Sequence, residues 1–309
     1  AERYDMRHFV DAVHTGLLRA LTRLRFPAVP SPRLIATFHQ PKAILEELVA
    51  EPSWLRAFDA IHLLAPDQAD YLAGHAESKK ILCIPLGIAQ NQIDANARDL
   101  PTNPIPEALP AHLSDKTLVL TVGAWLRDFD QLLETAKLLE SRENIVLVIV
   151  SKNLELDLES AANVHLLNQG VSEADLQALY RRAALFFLPL RDGAANTALL
   201  DAMTHGLPIV STDIPAVDFY SAGLASTAPG DPIALAALIE KTLEEHRDSK
   251  CREDLSQALR KRAASLSWER VAHRMFEQLY LPLLEGRTLS EVIQRQTDTP
   301  VVHAMETNA

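Results

Sequence analysis

The chain has 309 residues, enough for two domains with separate cores, and at 48% hydrophobic and 23% charged it has the composition of a globular protein. Its 41 acidic and 30 basic residues leave a net charge of −11, which argues against nucleic-acid binding as a global property. Two cysteines, Cys83 and Cys251, argue against a disulfide framework or a cysteine metal site and fit a cytoplasmic protein, and no apolar run reaches the ~18 residues of a membrane span.

From Arg7 to Leu24 the apolar positions recur with helical spacing, predicting a first helix that ends at the prolines Pro27 to Pro32. Arg33 to Phe38 then reads as a strand, Ala43 to Leu55 as a helix, Ile61 to Ala65 as a strand, Asp67 to Ala76 as a polar helix and Ile81 to Pro85 as a strand. This alternation predicts parallel strands with crossover helices over residues 1–88. Prolines then accumulate among polar residues, and 89–116 reads as a hinge.

A second alternating series fills 117–267: strand Leu118 to Val122, helix Asp130 to Leu139, strands Ile145 to Val150 and Val164 to Leu166, and helix Glu173 to Arg182. After strand Leu185 to Leu190 come a polar loop, a helix, strand Ile209-Val210, a weak strand near Ala225, and helices Pro232 to Leu243 and Asp254 to Ala264. A closing helix spans 268–285, and the polar tail 286–309 is expected to fray. The architecture predicted is α/β, with two Rossmann-like, doubly wound domains facing a cleft.

The stretch Leu188 to Asp213, LPLRDGAANTALLDAMTHGLPIVSTD, is the most informative. Asp192, Gly193 and Asn196 break the strand; Asn196 or Thr197 can cap the helix that follows, and Gly206 with Pro208 ends it. A helix start outside the carboxyl end of a parallel strand favours anions, so a phosphate ligand is expected there.

This stretch resembles the donor-sugar motif of retaining glycosyltransferases of the GT-B fold, family 4, the glycosyl transferases group 1. RLIATFHQP at Arg33 to Pro41 is similar to the strand delivering that family's active-site histidine, and ILCIPLGI at Ile81 to Ile88 to its strand leading to the hinge. VLTVGAWLRD at Val119 to Asp128 resembles its phosphate loop, and SLSWERVAHRMFEQLY at Ser265 to Tyr280 its closing helix. The resemblance covers most of residues 33 to 284. It implies transfer of a sugar from a nucleotide-diphosphate sugar to an acceptor hydroxyl with retention, needing neither a cofactor nor a metal.

On this resemblance Asp201 contacts the ribose, where the family usually has the second glutamate of a Glu-x7-Glu motif. The first acid is out of register: Gly193 holds its place, and Asp192, one residue earlier, is the candidate for the sugar hydroxyls. The amides of Asn196, Thr197 and Ala198 would face the diphosphate. Gly123 opens the phosphate loop; Arg127, the cation nearest to it, is assigned to the phosphate, the alternative being a salt bridge with Asp128 or Asp130. Lys152 is the candidate second cation, or a solvated lysine. His39 would touch the transferred sugar or the acceptor.

Other readings are a nucleotide-sugar epimerase on the same fold and a non-catalytic, degenerate subunit. The family's first strand and glycine-rich loop are not recognisable in Ala1 to Leu24, so the N-terminal domain is expected to lack its start. Donor base, donor sugar and acceptor, whether a sugar, a small molecule or a lipid-linked one with peripheral membrane contact, are not legible.

Overall fold

The apolar runs assemble into two parallel sheets, one in each of two compact units, in a computed structural model that describes residues 6–10, 32–49, 52–72, 74–96, 106–158, 161–287 and 289. One unit holds the described residues up to Pro85 together with those from Glu269 onward; the other runs from Leu86 to Trp268. No helix among the described residues is long and apolar enough to cross a membrane.

The first unit carries β1 (Met6–Val10), β2 (Arg33–Phe38), β3 (Ala60–Leu63) and β4 (Ile81–Cys83), all parallel and in that spatial order. Helices α1 (Lys42–Leu48) and α2 (Gln68–Leu72) intervene. β3 is buried along its whole length, as expected where both faces of a parallel sheet are covered. Leu34, Ala36 and Phe38 pack with Leu45, Leu55 and Phe58, while Ile35 and Ala60 pack with Val271, Leu279 and Leu283 from the C-terminal segment.

Three predictions in this unit are corrected. The predicted helix from Arg7 begins instead as β1, whose pairing with β2 overrides a helical periodicity; residues 11–24 of that prediction lie outside the described residues. The predicted helix Ala43 to Leu55 stops at Leu48, and Pro52, unable to continue it, opens a 3-10 turn, Pro52–Ala57. The closing helix is broken into α10 (Trp268–Arg274), a π-helical turn (Met275–Tyr280) and α11 (Leu281–Leu284). Pro282 has no N–H to give the carbonyl of Gln278, so regular α-geometry cannot run through it.

The second unit holds β5 (Thr117–Val122), α4 (Phe129–Leu138), β6 (Ile145–Val150), β7 (Val164–Leu167), α5 (Glu173–Arg182), β8 (Leu185–Leu188), α6 (Thr197–Thr204) and β9 (Ile209–Thr212). It continues with α7 (Pro215–Ser221), which the sequence reading missed, β10 (Ser226–Ala228), α8 (Pro232–Glu245) and α9 (Ser249–Ser265). Its six parallel strands lie in the order β10-β9-β8-β5-β6-β7. The order therefore reverses between β5 and β8, the doubly wound topology with its ligand crevice at the switch point. Alternate residues Ile145, Leu147 and Ile149 of β6, with Val119, Phe187 and Val210, form a core with Leu132 and Ala136 of α4 and Leu235 and Ile239 of α8. Within 89–116, helix α3 (Gln90–Asn96) packs on α6 and α9, a 3-10 turn covers Ala111–Leu113, and 97–105 lies outside the described residues.

Candidate functional site

The site is built where β5 and β8 diverge. Gly123, just past β5, has φ +87, a left-handed conformation that glycine tolerates. Its missing side chain also leaves room: a Cβ there would lie 3.3 Å from Nη2 of Arg127. The loop is stitched to the chain leaving β8, because Asp128 N donates to Pro189 O at 3.0 Å and Arg191 N to Leu126 O at 3.0 Å. Leu126, with φ 59, pays the strain that only a non-glycine residue incurs in that region. Thr212, at the end of β9, fixes the same segment by accepting from Leu190 N at 3.0 Å.

Arg127 is folded inward to 7% exposure. Its Nη2 and Nε donate to Val122 O at 2.8 and 3.2 Å, and its Nη1 to Trp125 O at 3.1 Å. Nη2 also reaches Asn196 Oδ1 at 3.3 Å. Burial lowers its pKa to about 10. The alternative salt bridge is corrected: Arg191, not Arg127, pairs with Asp128 at 3.6 Å and Asp130 at 3.1 Å. Asp128 is instead the cap of α4, accepting from Gln131 N. Among the described residues no carboxylate lies within ion-pair distance of the Arg127 guanidinium. A buried cation held only by neutral acceptors is costly unless an anion joins it.

Asn196 caps α6 by accepting from Leu199 N at 3.1 Å, and its carbonyl takes Leu200 N at 3.2 Å. The amides of Thr197 and Ala198 donate to no acceptor among the described residues. One side chain, Asn196, thus joins the helix start to Arg127, and two free amides and a guanidinium converge on the carboxyl side of the switch point.

Asp201 lies one turn further into α6. Its carboxylate makes no hydrogen bond within the described residues, and burial, with Glu173 adding repulsion, raises its pKa to about 6. A half-buried carboxylate without donors suits a ligand that brings hydroxyl groups. Sequence reasoning missed Tyr180, fully buried on α5, whose hydroxyl reaches Ala198 O at 3.4 Å and whose pKa is raised by burial first and by Asp201 next. Its helical spacing with Leu176 reads only as core. Tyr180 also stacks on His205, with ring centroids 4.8 Å apart.

The remaining candidates are less committed. Asp192 caps its own loop, its Oδ1 accepting from Gly193 N at 2.7 Å. Lys152, exposed just past β6, runs beside Gly170. His39 follows β2 in the first unit, near enough to His8 and His62 to lower the pKa of each.

Residues 116–245 match the family described as glycosyl transferases group 1. Among solved structures, sucrose-phosphate synthase from Thermosynechococcus elongatus is similar with TM-score 0.67 at 18% identity, covering 92% of this chain and 74% of that one. An alpha,alpha-trehalose 6-phosphate synthase from Burkholderia multivorans gives TM-score 0.66 at 14% identity over 94% and 72% of the two chains. WaaG, a glycosyltransferase involved in lipopolysaccharide biosynthesis, gives 0.57 at 20% over 79% and 78%. No curated protein sequence matches the chain.

Proposed function

We propose, from the premise that this chain is a GT-B glycosyltransferase whose residues 116–245 belong to the glycosyl transferases group 1, that it moves a sugar from a nucleotide-diphosphate sugar to an acceptor hydroxyl with retention. The observation that carries this reading is the buried Arg127 guanidinium, without a carboxylate partner, beside the free amides at the start of α6. A diphosphate supplies the missing anion there. The Asp201 carboxylate accepts hydrogen bonds from the ribose hydroxyls, and Asp192 is assigned to the donor sugar.

In the reaction the bond between the anomeric carbon and the diphosphate oxygen breaks while the acceptor oxygen attacks from the same face. The acceptor proton passes to the departing phosphate. Arg127 and the α6 amides stabilise the charge developing on that phosphate, work that positioned donors perform without a metal. Lys152 contributes a second cation, and His39 contacts the transferred sugar or the acceptor.

The test is incubation with a panel of uridine, guanosine and adenosine diphosphate sugars and sugar, sugar-phosphate and lipid-linked acceptors. Released nucleoside diphosphate is quantified and the product's anomeric configuration read by NMR. A product retaining the donor configuration supports the proposal. Inversion, an epimerised sugar with no acceptor consumed, or no turnover with any donor contradicts it.

A further inference from the structure

A second basic cavity, of about 470 Å3, lies at the opposite edge of the second unit's sheet, beside the residues that lead into β8 and β9. Arg181 and Arg182 reach it from the end of α5, His205 from the end of α6, and Arg252 and Arg260 from α9. In a chain of net charge −11 this is an unusual convergence. Among the described residues Glu253 is the only carboxylate lining it, and its Oε1 accepts from Gln257. Among the described residues, Arg182, Arg252 and Arg260 have no carboxylate within ion-pair distance.

The two arginines of α5 have a local explanation, since cations suit a helix C-terminus and Arg182 donates to the carbonyls of Ser114 and Lys116 at 2.6 and 2.9 Å. Arg252 and Arg260 belong to another helix and have no such account. Among the described residues the buried Nε of Arg260 has no partner, and its Nη2 makes only a 3.4 Å contact to the carbonyl of His205.

His205 is the second, independent observation. It is 8% exposed, and its Nδ1 lies 2.8 Å from the carbonyl of Asp201, which can only accept, so Nδ1 carries the hydrogen. The Nε2 lone pair is therefore an acceptor, and it is buried without a partner among the described residues. The cavity wall thus offers guanidinium donors, and His205, one of the residues lining it, keeps an unused acceptor buried beneath that wall. A phosphate group matches the arginines, its anionic oxygens accepting from their guanidinium N–H groups. The volume lies within the range of about 300–1,000 Å3 typical of small-molecule sites.

We propose that this cavity, framed by Arg252, Arg260 and His205, is a phosphate-binding site separate from the Arg127 site. Its ligand class is inorganic phosphate or a small phosphate monoester. The full chain is titrated calorimetrically at pH 6.5 and constant ionic strength with inorganic phosphate and, separately, with glucose 6-phosphate as a monoester probe. Saturable binding of either that is weakened by substitution of Arg252 and Arg260 supports the site, and the tighter probe names its source. Arg252→Gln with Arg260→Gln should weaken binding by about tenfold or more, the scale of lost charge-assisted hydrogen bonds, and leave nucleoside diphosphate binding unchanged. Arg252→Gln alone, a change at an exposed position, should weaken it in the same direction without affecting folding. No saturable binding of either probe to the wild-type chain overturns the proposal. So does binding that survives in the double variant but is lost in Arg127→Gln, which would assign the phosphate to the donor site.

Discussion

The guanidinium of Arg127 and the side-chain oxygen of Asn196 stand 3.3 Å apart, joining the loop after β5 to the first turn of α6 across the point where strand order reverses. Asn196 uses the same oxygen to cap the helix. The anion site is therefore held from both sides before any ligand arrives, which lowers the reorganisation needed when phosphate binds.

Replacing Arg127 by lysine keeps the charge but loses the forked geometry that reaches Val122 O, Trp125 O and Asn196 together. Nucleoside diphosphate affinity should fall by about tenfold or more on the scale of hydrogen bonds to charged groups. Fluorescence or calorimetric titration of the two proteins checks it; equal affinities would remove Arg127 from the site.

Gly123→Ala places a side chain on a residue with φ +87 and brings Cβ to 3.3 Å from Nη2 of Arg127. A cost of about 1–2 kcal/mol is expected from the backbone alone, with donor affinity reduced as the guanidinium is displaced. Denaturant unfolding and a donor titration read the two effects separately. Gly206 makes the contrasting case: with φ +67 and Ser256 where a Cβ would go, Gly206→Ala should destabilise without being specific to the donor.

Asp201 links binding, stability and pH. An acid whose pKa is raised on folding holds more protons folded than unfolded between the two values. It therefore subtracts stability as pH rises from 3.8 to about 6. Asp201→Asn should raise stability at pH 7 by something on the order of 2 kcal/mol while weakening donor binding. Thermal unfolding at pH 5 and 7 reads the change; an unaltered pH slope would mean the carboxylate is not strained by burial. In the wild type, donor affinity should decline as pH falls below about 6 and the carboxylate is neutralised.

The first unit responds to pH in the opposite sense. His62 Nε2 lies 2.9 Å from Ile84 O, so it donates, and Nδ1 accepts from Thr37 Oγ1 at 2.9 Å. Thr37 in turn accepts from His8 Nε2 at 2.5 Å, whose Nδ1 accepts from Tyr280 Oη at 2.8 Å. The chain requires neutral imidazoles. Burial first, then His8 and His39, hold His62 down at about 4, so stability is lost as pH falls from 6.5 toward that value. His62→Gln should flatten this slope in thermal unfolding; an unchanged slope would assign it elsewhere.

The second unit was more legible than the first because its signals are local. β5, β6 and α5 coincide with their predicted ranges to within a residue, and of the two cap candidates of α6 the structure uses Asn196, the helix ending before Gly206. β1 was not legible, since five residues with no flanking turn signal become a strand only by pairing with β2. Arg127 is legible as the cation nearest Gly123, whereas the alternative pairing with Asp128 or Asp130 is not realised because Arg191 arrives from the β8 loop and takes the aspartates. Tyr180 and the far-edge cavity arise only when helices separated in sequence meet.

The central claim is that Arg127 and the start of α6 hold a diphosphate. The most direct measurement is calorimetric titration of the full chain with uridine, guanosine and adenosine diphosphates, repeated with Arg127→Gln. The account predicts saturable binding of at least one nucleotide to the wild-type chain and its loss in the variant. Absence of binding by all three, or binding undiminished in Arg127→Gln, would contradict it.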